Sequence, residues 1–255
     1  MATRLVAGEL VKLTTTRLWL WLLAAAMALT ALYAGLNIAF TDDPENFAPH
    51  MSTPEGQRLL FATAATPATT FAAVLAAVGV TGEFRHRTAT ATFLFTPHRW
   101  RVIAAKLAVY GVVGAAYSAA CLVVVAAIGV PWLAGKGIEF SLAGGGLPGV
   151  MAGVIVTGAV FGLLGVAVGA LLRDQVATVV GLLVYRFVAE PIVTSIPALE
   201  TWTVYLPGVA ASGLAGSVLE NRSFLQPGQA ALVLAGYVAV AVAAGVILTK
   251  RRDVL

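Results

Sequence analysis

The chain is poor in charge. Of its 255 residues only 11% are Asp, Glu, Lys or Arg, whereas a soluble domain carries about 25%. So little polar surface cannot cover a soluble core of this size, and 59% of the residues are hydrophobic. A cytosolic enzyme, a secreted disulfide scaffold and a disordered chain are excluded on that ground. Cysteine is nearly absent. Cys121 stands alone inside an apolar run, so neither a disulfide nor a Cys-based metal site is expected, and it reads as a small core hydrophobe. Histidine is limited to His50, His86 and His98. The last two sit among cations, which disfavours a bound metal.

Nucleotide and catalytic motifs are missing as well. A phosphate-cradling loop needs G-x-x-x-x-G-K-[ST]. The nearest text is Gly135-Lys136-Gly137, with Val130 where the first glycine belongs and Gly137 in place of Ser or Thr. Ala211-Ser212-Gly213 matches part of an intramembrane serine-protease pattern, but Ala210 replaces the expected glycine and no apolar run carries a histidine base. No catalytic residue, metal or cofactor of its own is therefore expected. If ATP drives the protein, another chain must bind it.

What is present is long apolar runs. They do not alternate in polarity, which argues against a β-barrel. The expected fold class is an all-α polytopic membrane protein. A spanning helix needs about 20 mostly apolar residues, and six runs qualify: 18–40, 60–82, 105–132, 148–172, 175–197 and 229–249. The first run is too long for the apolar part of a cleavable signal, so it is expected to remain as a span.

Charge orients these spans. Arg4, Lys12 and Arg17 precede the first. Arg85, Arg87, Arg99, Arg101 and Lys106 lie around the second connection, Arg173 in the fourth, and Lys250, Arg251 and Arg252 in the tail. These twelve fall on one side, against Arg58, Lys136 and Arg222 on the other. Lys and Arg resist translocation, so both termini are expected in the cytoplasm, and an even number of spans agrees. The formal charge of +4 is accordingly read as topology and not as nucleic-acid affinity.

Three segments outside the spans stand out. Residues 1–17 read as an interfacial helix, with Val6, Leu10 and Leu13 in one stripe and Arg4, Lys12 and Thr15 opposite. Residues 83–101 are too short for a domain but long enough for one helix along the membrane. Phe84, Thr88, Ala91 and Phe95 would share its face, and Pro97 would end it. Apolar and flanked by basic residues, this segment wants either lipid headgroups or a protein partner. Residues 198–228 are too apolar for a solvated loop. A short helical hairpin dipping into the outer leaflet is expected there.

Within the spans, two constellations matter. Gly149/Gly153, Gly158/Gly162 and Gly165/Gly169 are each four apart, which permits close helix contact within one chain or between two. Arg186 and Glu190 are the one intramembrane charge pair, spaced to meet on one helical face. The pair reads either as a polar site lining a cavity or as a structural ion pair holding a broken helix. Pro191 follows at once, and a kink or an early helix end near Glu190 is expected.

Taken in order, these features resemble the permease subunit of the type-2 ATP-binding-cassette (ABC) exporter family. The resemblance is carried by Gly82-Glu83-Phe84-Arg85-His86-Arg87-Thr88, then Thr96-Pro97 and Ala105-Lys106-Leu107. The N-terminal Glu9-Leu10-Val11-Lys12-Leu13-Thr14-Thr15-Thr16-Arg17 is similar to the family's first helix, and Tyr205-Leu206-Pro207 lies where the family has its external re-entrant hairpin. Arg87 departs from the usual glycine. The resemblance implies that residues 83–101 form a coupling helix, with Glu83, Phe84, Arg85, Arg87, Thr88, Phe95, Pro97 and Arg99 contacting a separate ATPase. Two such ATPases, holding ATP and Mg, and a second permease copy would complete an exporter in a bacterial cytoplasmic membrane, as a homodimer or a paralogous heterodimer. An apolar path favours a hydrophobic or amphipathic cargo such as a drug, lipid or peptide. The alternative is a non-transport scaffold or sensor subunit.

Overall fold

In a computed structural model, residues 2–43, 48–86, 99–217 and 223–251 are described. Among them the structure is helical, without strands. Six helices are long and apolar enough to cross a membrane. The face bearing residue 2, the 85–99 connection and Arg173 is called the basic face below.

Helix α1 covers Ala2–Thr15 and α2, the first span, Leu18–Ala39. The second span is longer than the 60–82 expected, running from α3, Pro54–Ala62, into α4, Ala65–Arg85. Thr53 caps α3 by accepting from the Gly56 N–H at 3.1 Å, and Pro54 opens the first turn, where no N–H is needed. The break between α3 and α4 has a local cause. Pro67 lacks the N–H that would bond the Thr63 carbonyl four residues back, so the chain re-nucleates there. The third span, α5, runs Arg99–Gly135, 37 residues against the 105–132 expected. At 1.5 Å per residue it is about 55 Å long and outreaches a hydrocarbon core of about 30 Å.

The fourth span, α6, is Leu147–Leu172. A turn of two residues leads to the fifth. Arg173 takes the left-handed conformation, φ 59°, and Asp174 caps α7, Gln175–Val184, accepting from the Ala177 N–H at 2.7 Å. Near Glu190 the α-helical register changes to a π turn at Tyr185–Ala189, in which the Glu190 N–H reaches back to the Tyr185 carbonyl, and α8, Glu190–Thr194, then continues the helix. The wider register spares the Phe187 carbonyl a clash with the Pro191 ring. The segment expected as a hairpin holds a 3-10 turn at Pro197–Leu199 and two short helices, α9, Glu200–Thr203, and α10, Pro207–Leu214. The sixth span, α11, is Pro227–Arg251.

Spans two and four form the centre, and the others are arrayed around them. Span four packs against α4, α5, α10 and α11. Its glycines make this possible, because lipid supplies no hydrophobic force between helices and close backbone contact must. A Cβ on Gly158 would overlap the Gly114 carbonyl and the Ser118 hydroxyl of α5, and one on Gly162 the Tyr110 carbonyl. At Gly165 it would overlap the Ala73 carbonyl of α4, and at Gly169 it would press on Ala77 and Val80. Gly153 approaches the Leu214 carbonyl of α10. These five glycines therefore serve contacts within the chain, whereas Gly149 faces open space. Buried threonines bond to their own helices, as when Thr30 and Thr81 donate to the carbonyls of Ala26 and Ala77.

Backbone atoms cannot step aside for a side chain. Gly158→Val and Gly162→Val are expected to destabilise the fold by at least the ~1–3 kcal/mol of ordinary overpacking, read by SDS-induced unfolding in mixed micelles. Gly149→Ala is the control and should leave the unfolding midpoint unchanged.

Candidate functional site

Two polar clusters close the helix bundle, one at the basic face and one in the opposite half. The first is a ring of four charges. Lys106 of α5 donates to Glu9 Oε2 at 2.7 Å and to Glu83 Oε1 at 2.8 Å, and Lys12 donates to Glu9 Oε1 at 2.8 Å and Glu83 Oε1 at 2.6 Å. The Lys106 side chain is 5% exposed and that of Glu9 6%. An ammonium so buried is tolerable only because two carboxylates meet it. Burial by itself lowers the Lys12 pKa, but hydrogen bonds to Glu83 and Glu9 outweigh it and raise the value above the usual 10.5.

The ring changes how α1 is read. Glu9 and Leu13 form its packed side, with Lys12 beside them, while Leu10 and Val11 face outward. The apolar stripe of Val6, Leu10 and Leu13 is divided, with Leu13 packed and Leu10 facing outward. Charge pairing orients the helix, and its outward apolar residues are left for lipid.

The two residues after Glu83 are fastened to other elements. Phe84 lies in the last turn of α4, and the Arg173 guanidinium sits 5.2 Å from its ring centroid. Arg85 donates to the Gln175 side chain of α7 at 3.4 Å. Three consecutive residues at the end of the second span thus hold α1, α5, the α6–α7 turn and α7. Glu83, Phe84 and Arg85, expected to begin a surface helix, complete α4 instead. Arg87, Thr88, Phe95 and Pro97 lie outside the described residues, and Arg99 opens α5.

The second cluster surrounds Arg186 and Glu190. Arg186 Nη1 donates to Glu190 Oε2 at 2.6 Å, and Nη2 donates to Thr66 Oγ1 of α4 at 2.9 Å. Glu190 Oε1 accepts the backbone N–H groups of Gly208 and Val209 at 2.7 and 3.2 Å. The carboxylate thereby caps α10, where orphan N–H groups and the positive helix end both favour an anion. A Cβ at Gly208 would push aside both the guanidinium and the carboxylate. One ion pair thus joins the second span, the fifth span and α10. Beside it lies a cavity of about 320 Å³, so the pair both braces a broken helix and lines a polar space. Ser212 is on its wall with its hydroxyl donating to the Gly208 carbonyl at 3.0 Å. Among the described residues, no group of three or more His, Cys, Asp or Glu side chains could hold a metal.

Outside the spans on that side, Lys136 donates to Asp42 at 2.7 Å and the His50 ring meets Asp42 at 2.9 Å. Lys136 and His50 hold the Asp42 carboxyl below the usual range.

No protein-family model matches this chain, and no curated protein is significantly similar to it. The geometry therefore carries the functional argument. Glu9, Lys12 and Lys106 were not expected as a site. Their signal was faint but real, because Glu9 and Glu83 are two of only four acidic residues on a face that carries twelve basic ones. Thr66, Gly208 and Gln175 offered no signal in sequence, since each acts only through residues distant in the chain.

Two outcomes follow from the ring. Lys106→Met leaves two carboxylates short of a buried partner and should cost about 3–5 kcal/mol, while Lys106→Arg should restore most of it, both read by SDS-induced unfolding. The Lys12 contribution is complete below pH 10.5 and lost as pH rises through its raised folded value. A nitroxide on Ala7→Cys should therefore gain mobility only above about pH 10.5.

Proposed function

We propose that this chain is the membrane-spanning subunit of an ATP-driven exporter of the type-2 ABC class. A separate ATPase docks on residues 83–101 from the cytoplasmic side, which is the basic face. Two permease copies, alike or paralogous, and two ATPases carrying ATP and Mg make the working complex in the bacterial cytoplasmic membrane. The cargo is hydrophobic or amphipathic.

The observation that supports this most directly is the fastening of the second span's end. Glu83, Phe84 and Arg85 stand immediately before the 87–98 stretch and bind four separate elements. A displacement applied at that stretch is delivered at once to α1, α4, α5 and the fifth span. A passive scaffold has no need for such convergence at one short connection. Lys106, on the helix that follows the stretch, closes the ring from the other side. The helices before and after that stretch thus share one charge cluster, which suits a lever.

The test is isolation of the chain from its native membrane in mild detergent. A stoichiometric P-loop ATPase is expected with it, and the chain alone should hydrolyse no ATP. In that complex, Phe84→Ala should retain ATPase binding and basal hydrolysis. It should lose the nucleotide-dependent change in distance between spin labels on α4 and α7. A homo-oligomer without any ATPase, stable across several detergents, would remove the exporter reading.

A further inference from the structure

The cavity beside Arg186 and Glu190 has unspent hydrogen-bonding capacity of two kinds. Arg186 carries five N–H donors. One goes to Glu190 and one to Thr66. Its Nε is buried and has no partner among the described residues, an arrangement that calls for an explanation. The Thr66 hydroxyl accepts from Arg186, which leaves its own O–H to donate. Acceptors are available as well. Thr194 and Ser212, both on the wall, give their protons to the Pro191 and Gly208 carbonyls at 3.0 Å each, so their oxygens can only accept from anything in the cavity.

Charge narrows the ligand further. The site's two ionised groups, Arg186 and Glu190, neutralise each other, and the Glu190 side chain is 4% exposed. A cation or anion entering this low-dielectric space would find no counter-charge of its own. Leu59, Val209 and Phe224 supply apolar walls. At about 320 Å³ the cavity sits at the small end of ligand sites, room for one polar group and not for a whole cargo.

We infer that this cavity binds the uncharged, hydroxyl- or amide-bearing polar group of an amphiphile, in the half of the membrane away from the basic face. A group that both donates and accepts satisfies Arg186 and Thr66 on one side and Thr194 and Ser212 on the other. A ketone, an ether or an alkyl ammonium satisfies one side only. Naming this amphiphile as cargo rests on the exporter reading; the binding itself does not.

The experiment uses the full chain in phosphatidylcholine nanodiscs, with tritiated octyl glucoside below its micellar concentration. Saturable binding at one site per chain is expected, with no competition from octyltrimethylammonium or octyl phosphate. Ser212→Ala and Thr194→Val, at wall positions that hold no span together, should each weaken binding about five- to tenfold, the size of one lost hydrogen bond. Unsaturable partitioning, equal competition by the charged analogues, or unchanged binding in both variants would overturn the inference and leave a water-filled cavity. No ATPase is present in this measurement. Failure here with Phe84→Ala still uncoupling removes the ligand site alone; binding here without any associated ATPase removes transport alone.

Discussion

The Lys106 ammonium is the fixed point of the basic face. It is nearly closed off from water, and the carboxylates of Glu9 and Glu83 are what offset its burial. Those two carboxylates come from helices on either side, and Lys12 closes the ring. Four alternating charges sum to zero, which lets the cluster sit at the edge of a bilayer without a net field. Neither α4 nor α5 can move away alone, because its departure takes one charge of the ring and leaves an opposite charge without its partner in a poorly solvated place. Its position matters as much as its strength. Glu83 is in the last turn of the helix before residue 87 and Lys106 is near the start of the helix after residue 98, so the ring ties those two helices together.

The fourth span supplies a different kind of constraint. Seven residues are nearly two helical turns, so Gly158, Gly162, Gly165 and Gly169 lie in one stripe. That stripe meets α5 and then α4 in succession. Where soluble helices are driven together by expelled water, these are held by backbone contact that any side chain would prevent. The charge ring and the glycine stripe are complementary. One fixes helix ends where charge can still be afforded some water, and the other fixes helix middles where charge is most costly.

How much of this was legible follows from the same physics. Long apolar runs located all six spans, because length and composition alone decide whether a helix can cross. They placed the ends less well. The 60–82 run missed α3, whose Arg58, Glu55 and Gln57 dilute the hydropathy though Pro54 and Thr53 start the helix cleanly. The Arg186–Glu190 pair was readable from its spacing of four, and an irregularity near Glu190 from Pro191. The other two partners of Glu190 were not, since the N–H groups of Gly208 and Val209 carry no mark in the sequence. The stripe of Val6, Leu10 and Leu13 did not tell which of its residues would pack. Next to lipid an apolar side chain is as well placed facing out as facing in, so periodicity of hydrophobic residues does not choose the packed side. Polar residues choose it, and in α1 Glu9 did.

One helix joins the two polar clusters. Thr66, in the first turn of α4, accepts from Arg186, and Glu83, in its last turn, accepts from Lys12 and Lys106. The 17 residue steps from one to the other span about 25 Å of uninterrupted helix, buried along most of its length. A rod packed on nearly all sides moves as a unit or not at all. A shift of the 87–98 stretch that carries Glu83 with it must also carry Thr66, and Thr66 is hydrogen-bonded to the guanidinium that holds Glu190 against α10. On the exporter reading, a push at the basic face is therefore felt at the Arg186 cavity without any relay of side-chain rearrangements between them.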